Sequence, residues 1–158
     1  MNIFIETHQK LLEALTRHKV TFLLIGGYAV IFHGYKRSTG DMDIWLKPDN
    51  ENKLKLLEVL KEFEFNKEGI KHISELDFTT HLAFHFWEEP ERVDCLTQIS
   101  NVGFTEAYAQ KVIAEIEGIQ VPFIHYTHLV MSKITSDRLK DKADVEELQK
   151  VNLHKPKE

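Results

Sequence analysis

The sequence predicts an α+β protein, a mixed β-sheet with helices packed mainly against one face and further helices at the C-terminal end. Three observations lead there. Two short apolar runs of strand character, 21–25 and 41–46, are separated by a segment with helical spacing. A pair of strand-like runs joined by a polar turn follows in the middle of the chain, and charged residues at helical spacing fill 127–148.

The elements follow in order. Residues 4–18 set Leu11, Leu12 and Leu15 on one side of a surface helix. Thr21-Phe22-Leu23-Leu24-Ile25 is β-branched and aromatic, the signature of a short buried strand, and it stops at Gly26-Gly27. Residues 28–33 open a helix, and in Asp41-Met42-Asp43-Ile44-Trp45-Leu46 acids alternate with large hydrophobes at the period of a strand. Asp49 or Asn50 caps a helix to about residue 63, with Leu54, Leu57 and Leu60 inward. A β-rich run is expected near 69–74. Thr80 to Trp87 and Arg92-Val93-Asp94-Cys95-Leu96 form a hairpin across Glu88-Glu89-Pro90-Glu91. A further strand covers 119–124, and 127–148 makes two helices meeting near Thr135-Ser136-Asp137. A chain of 158 residues without linker or repeat suits one core over 1–151, with a tail at 152–158.

Composition narrows the function. A formal net charge of −5 argues against long-range attraction to bulk nucleic acid. No signal-peptide pattern, membrane-length apolar stretch or second cysteine is present, so a cytoplasmic protein without membrane attachment is expected, with Cys95 as a packed thiol. The nine histidines show no zinc-site spacing, and His81 with His85 reads as a plain polar pair on one strand.

Chemistry concentrates around the paired acids. Residues i and i+2 of a strand share a face, so Asp41 and Asp43 point the same way. Two anions so close repel unless a proton or cation lies between them, and oxygen donors select hard cations such as magnesium. A strand entering a helix through Gly26-Gly27 lets backbone N–H groups approach an anion. Thirteen residues, 28–40, separate that corner from Asp41, enough for a short helix and a return to the same sheet edge. Phosphoryl or nucleotidyl transfer is the chemistry suggested.

Ile25-Gly26-Gly27, followed by Asp41-Met42-Asp43-Ile44, resembles the nucleotidyltransferase superfamily, whose fold is shared by polymerase-β-like enzymes, minimal bacterial nucleotidyltransferases and AbiEii-type toxins. Ala29, His33-Gly34, Arg37 and Thr39 are similar to the bacterial branch, and the match is dense over 22–46. The resemblance implies an NTP substrate, two Mg2+ ions on Asp41 and Asp43, and a third carboxylate on a later strand that also ligates a metal and helps deprotonate the attacking hydroxyl. Asp94 is the candidate, the one acid embedded in hydrophobes, where Asp77, Glu88, Glu89 and Glu91 sit at strand or turn ends. Lys133, in a C-terminal cluster with Arg138, Lys140, Asp141 and Asp144, resembles the family's phosphate-contacting lysine, and Arg37 is a second candidate for a triphosphate contact. Arg138 and Asp141 would brace the helix, the other reading of the cluster being solvated ion pairs. The implied activity is transfer of an NMP to a hydroxyl of an acceptor (tRNA or other RNA, protein, or a small molecule). A toxin–antitoxin or phage-defence setting, with a partner protein or homodimer, belongs to the same resemblance. Two other readings stand beside it: a catalytically silent nucleotide- or partner-binding regulatory module, and a glycosyltransferase holding a sugar nucleotide through Asp41-Met42-Asp43, against which the short chain and the Gly-Gly turn speak.

Overall fold

The computed structural model describes residues 3–154. Helix α1 (Glu6–Arg17) precedes strand β1 (Phe22–Ile25), helix α2 (Gly26–Phe32) and strand β2 (Met42–Leu46). Helices α3 (Asn50–Glu62) and α4 (Lys67–Ser74) lead to the hairpin β3 (Ala83–Phe86) and β4 (Val93–Leu96). Helix α5 (Phe104–Ala109), a second hairpin β5 (Val112–Ile116) and β6 (Ile119–Phe123), and helices α6 (Tyr126–Lys133) and α7 (Leu139–Leu153) complete the order. The strands form one mixed six-stranded sheet, β3-β4-β2-β1-β6-β5, so the predicted α+β class is what the chain adopts. Among the described residues no helix is long and apolar enough to cross a membrane.

The core grows from the strand pattern. Met42, Ile44 and Leu46 alternate with Asp43 and Trp45 along β2, which begins one residue after Asp41, and are buried, with Val93 and Cys95 beside them on β4. Leu11, Leu12 and Leu15 of α1, and Leu56, Val59 and Leu60 of α3, join the same buried cluster. Asn52, buried on α3, clamps the outer ends of β1 and β2. Its amide donates to the Thr21 carbonyl (2.9 Å) and the Lys47 carbonyl (3.2 Å), and its oxygen accepts from Thr21 N–H (2.8 Å). Asp49 caps α3 at Asn52 N–H (2.7 Å), as the sequence predicts.

Several expectations are corrected. Residues 69–74 are helical, not β: the Asn66 side chain caps Gly69 N–H (2.6 Å), and Ile70 and Ile73 then fall three apart, Ile73 buried and Ile70 partly so. The capped helical phase overrides the β-propensity of the isoleucines. Leu54 faces solvent at 60% exposure, because the buried stripe of α3 runs through Asn52, Leu56, Val59 and Leu60. Helix α5 and strand β5 are additions. The turn Glu117-Gly118 has positive φ at both residues (50° and 79°) and joins Ile116 to Ile119 as a two-residue hairpin, a signal present in the sequence. Asn152 and Leu153, expected in the tail, continue α7, and 155–158 lie outside the described residues. His81 precedes β3 and does not share a strand with His85.

Replacing Asn52 by Ala strips three hydrogen bonds from backbone groups at the strand ends. Urea unfolding is expected to show a loss of about 2–3 kcal/mol.

Candidate active site

Backbone pairing decides where the acids go. β1 and β2 are antiparallel with Ile25 opposite Asp43, while β2 and β4 are parallel with Asp43 beside Asp94. Residues paired in register on neighbouring strands share a face, and Asp41 stands two residues before Asp43, so all three carboxylates reach one side of the sheet. There they line a cleft of about 880 Å³ together with Gly26, Gly27, Arg37, Thr39 and Lys133. The eight residues that the sequence singles out thus lie around one cavity. Cys95 points to the opposite face, buried, and its thiol is pushed up first by burial and then by the charges of Asp94 and Asp43.

The two glycines are required by what packs on them. Gly26 has φ +65°, and a Cβ there would lie 2.0 Å from Asp43 Oδ2. At Gly27 a Cβ would lie 2.2 Å from Thr39 Oγ1, with Arg37 Nη1 at 3.4 Å. The corner therefore makes room for the Asp43 carboxylate on one side and for the loop carrying Arg37 and Thr39 on the other. Gly-Gly and Asp-Met-Asp are one steric unit.

The electrostatics divide the cleft. Burial first, then the charges of Asp94 and Asp41, push the Asp43 carboxyl up to about 6, against an opposing pull from Lys133 and Lys140. Glu89 shares a hydrogen bond with Asp41, which holds Glu89 above the usual carboxylate range. The guanidinium of Arg92 donates to Asp94 from Nη2 to Oδ1 (3.0 Å) and from Nε to Oδ1 and Oδ2 (3.2 and 3.3 Å). Across from these acids stand Lys133, Arg138 and Lys140, also lining the cleft. Lys133 donates to Asp141 (2.9 Å) and pairs with Asp144 (3.2 Å), while Arg37 donates to both oxygens of Asp144. Arg138 is 74% exposed in its side chain and only 3.9 Å from Asp141, so it braces α7 weakly.

The donor set fits a hard divalent cation. Asp41 and Asp43 are oxygen donors on one face, and burial with the neighbouring carboxylates makes ionisation of Asp43 costly until a cation neutralises it. Among the described residues no three acidic, histidine or cysteine side chains converge tightly enough to form a ligand cluster as they stand, and Arg92 occupies both oxygens of Asp94. Magnesium is commonly held through one or two carboxylates and completed by water and substrate phosphates, which is what Asp41 and Asp43 offer.

Glu89, Lys140 and Asp144 are among the lining or supporting residues that were not singled out as site residues by sequence. Glu89 is solvent-exposed, as a turn residue should be, yet leans over Asp41; its turn is tied to α1, where His8 Nε2 donates to the Glu91 carbonyl (3.0 Å) and His8 Nδ1 accepts from the Tyr28 hydroxyl (2.9 Å). Lys140 and Asp144 belong to the C-terminal charge cluster, whose helical spacing is visible but whose facing is not.

A mixed sheet bearing a glycine corner, an Asp-x-Asp strand and a third in-register aspartate defines a nucleotidyltransferase fold, and solved structures agree. The lincomycin-bound crystal structure of the lincosamide antibiotic adenylyltransferase LnuA matches with a TM-score of 0.56 at 17% identity, over 96% of this chain and 99% of that one. The antibiotic-resistance factor ANT(2'')-Ia matches with a TM-score of 0.57 at 13% identity, over 93% and 86%. An antigenic nucleotidyltransferase-like protein from Paracoccidioides brasiliensis gives 0.57 at 15%, over 94% and 75%. No curated protein matches in sequence. Residues 2–153 match the family described as "Nucleotidyltransferase of unknown function (DUF6036)", and the chain belongs to that family.

Two outcomes follow for stability. The folded-state pKa of Asp43, about 6, lies above its ordinary 3.8, so the folded protein binds the extra proton between those values and the charged form costs stability above them. In metal-free buffer at pH 7.5, Asp43→Asn should stabilise by about 1–3 kcal/mol, the advantage shrinking as pH falls from 6 toward 4 in calorimetric scans. Gly26→Ala, strained at φ +65° and pressed on Asp43, should destabilise by about 2–4 kcal/mol in denaturant titrations.

Proposed function

We propose that the protein transfers a nucleoside monophosphate from an NTP to a hydroxyl group of a small-molecule acceptor. The observation that carries this reading is the two-sided cleft: carboxylates on adjacent strands beside the glycine corner, with cationic side chains facing them from α6, α7 and the loop before them. Such a lining suits a substrate whose phosphates are anionic and whose reacting phosphorus meets metal-bound carboxylates.

Each residue then has a role. The Gly26-Gly27 corner, Arg37, Thr39 and Lys133 bind the triphosphate, Lys140 adding positive charge. Asp41 and Asp43 would hold two magnesium ions. When bound, magnesium supplies charge neutralisation on the transferring phosphoryl group. Asp94, held at the cleft by Arg92, accepts the proton of the acceptor hydroxyl. The acceptor oxygen forms its bond to the α-phosphorus as the bond to the β-phosphate oxygen breaks, and pyrophosphate leaves.

The small-molecule acceptor is supported by the volume of the cleft, within the range of pockets for compact ligands, and by the formal net charge of −5, which disfavours polynucleotide binding. The names of two neighbours, a lincosamide adenylyltransferase and an antibiotic-resistance factor, point the same way.

The test incubates the protein with each α-labelled NTP, Mg2+ and a fractionated cell extract. Label should pass to the low-molecular-mass fraction, and Asp43→Asn or Asp94→Asn should lower transfer by about 10²-fold or more. Label in RNA or protein would replace the acceptor class. No label in any fraction, with Mg2+-dependent NTP binding retained, would favour a non-catalytic nucleotide-binding module.

A further inference from the structure

Among the described residues, Asp144 is the most deeply buried charged side chain that the proposed chemistry leaves without a role, at 1% exposure. It sits on α7 and receives Arg37 two-pronged, Nε to Oδ1 at 2.9 Å and Nη2 to Oδ2 at 3.2 Å, across 107 positions of sequence. Lys133 Nζ, at the end of α6, lies 3.2 Å from Asp144 Oδ2. Both cations are themselves only 13% exposed and line the cleft.

We propose that Asp144 is a positioning residue that fixes Arg37 and Lys133 in the orientation needed to receive the triphosphate, an inference that rests on the phosphate-binding reading of the cleft. The geometry of the guanidinium carries it. Nε and Nη2 form one edge of the fork, and Asp144 takes that edge completely. Nη1 is left on the other side, donating to the Ser38 carbonyl (3.0 Å) and standing 3.4 Å from the place where a side chain on Gly27 would begin. Arg37 is thereby aimed at the glycine corner and cannot swing to solvent. Lys133 is held from two sides, by Asp144 and by Asp141, whose other oxygen accepts from the Ser136 hydroxyl (2.7 Å).

Stability alone accounts poorly for such a node. A buried ion pair roughly breaks even against an apolar replacement, because desolvation offsets the attraction, whereas a preset orientation of long side chains directly lowers the entropic cost of gripping an anion. Asp144 also ties two segments far apart in sequence, the loop before β2 and the helix α7, at the edge of the cleft.

The experiment measures two affinities by calorimetry: inorganic tripolyphosphate in the presence of Mn2+, and Mn2+ alone. Wild-type protein should bind both. Lys133→Met should weaken tripolyphosphate about tenfold or more and leave Mn2+ within about twofold. Absence of tripolyphosphate binding by wild type, or wild-type affinity in Lys133→Met, would overturn the phosphate reading and Asp144's role with it. Given those controls, Asp144→Asn should weaken tripolyphosphate about tenfold while Mn2+ affinity stays within about twofold, as expected when a supporting residue behind a ligand is lost. Wild-type tripolyphosphate affinity, or an equal loss of both ligands, overturns the assignment while leaving the phosphate reading intact. Should Asp144→Asn not fold, Asp144→Glu decides: it keeps the charge but moves the carboxylate one methylene off the fork of Arg37. A loss of about tenfold supports the proposal and unchanged affinity overturns it.

Discussion

The parallel pairing of β2 with β4, Asp43 beside Asp94, is the constraint on which the cleft depends. A slip of one residue would turn Asp94 into the core and bring Cys95 or Val93 to the cleft. The apolar alternation prevents it: Met42, Ile44, Val93 and Cys95 are all buried on the far face, so the register that hides them is the one that gathers the acids. On the other side of β2, the antiparallel pairing with β1 delivers the glycine corner to Asp43 at a distance that excludes any side chain on Gly26. Fold and site share a single set of contacts.

Those contacts concentrate like charge. Asp43 is burdened by burial and by two neighbouring carboxylates, and Glu89 adds a fourth acid at Asp41. The chain offsets this locally, with Arg92 on Asp94 and with Lys133 and Lys140 acting across the cleft. The remaining imbalance around Asp43 is what a divalent cation would relieve, as the proposed chemistry requires. The same division recurs among the cations, where Asp141 and Asp144 hold Lys133 and Arg37 in place.

The centre of the site was legible because short-range rules govern it. Strand period two fixes the common face of Asp41 and Asp43, glycines ending an apolar run mark the corner, and one acid among hydrophobes identifies Asp94. Elements whose facing depends on tertiary packing were less legible. The isoleucines near 69–74 carry β-propensity, but Asn66 and the core choose a helix; Leu54 falls on the face of α3 opposite the stripe that the helix buries. The β5–β6 hairpin announces itself only through Glu117-Gly118. Glu89 and Asp144 could not be placed from local pattern, since an acid in a turn and an acid in a charged helix are ordinarily solvated. Their roles arise from the approach of the turn to Asp41 and of α7 to the loop at Arg37, contacts made across long stretches of chain.

The central claim is that Asp41, Asp43 and the glycine corner form one cation-binding locus, and paramagnetic relaxation tests it most directly. Substoichiometric Mn2+ added to the isotope-labelled protein should first broaden the amide resonances of Gly26, Gly27, Asp41, Asp43 and Asp94, and this pattern should vanish in Asp43→Asn. Broadening confined to exposed acids such as Glu6 and Glu146, or an unchanged pattern in Asp43→Asn, would contradict the account.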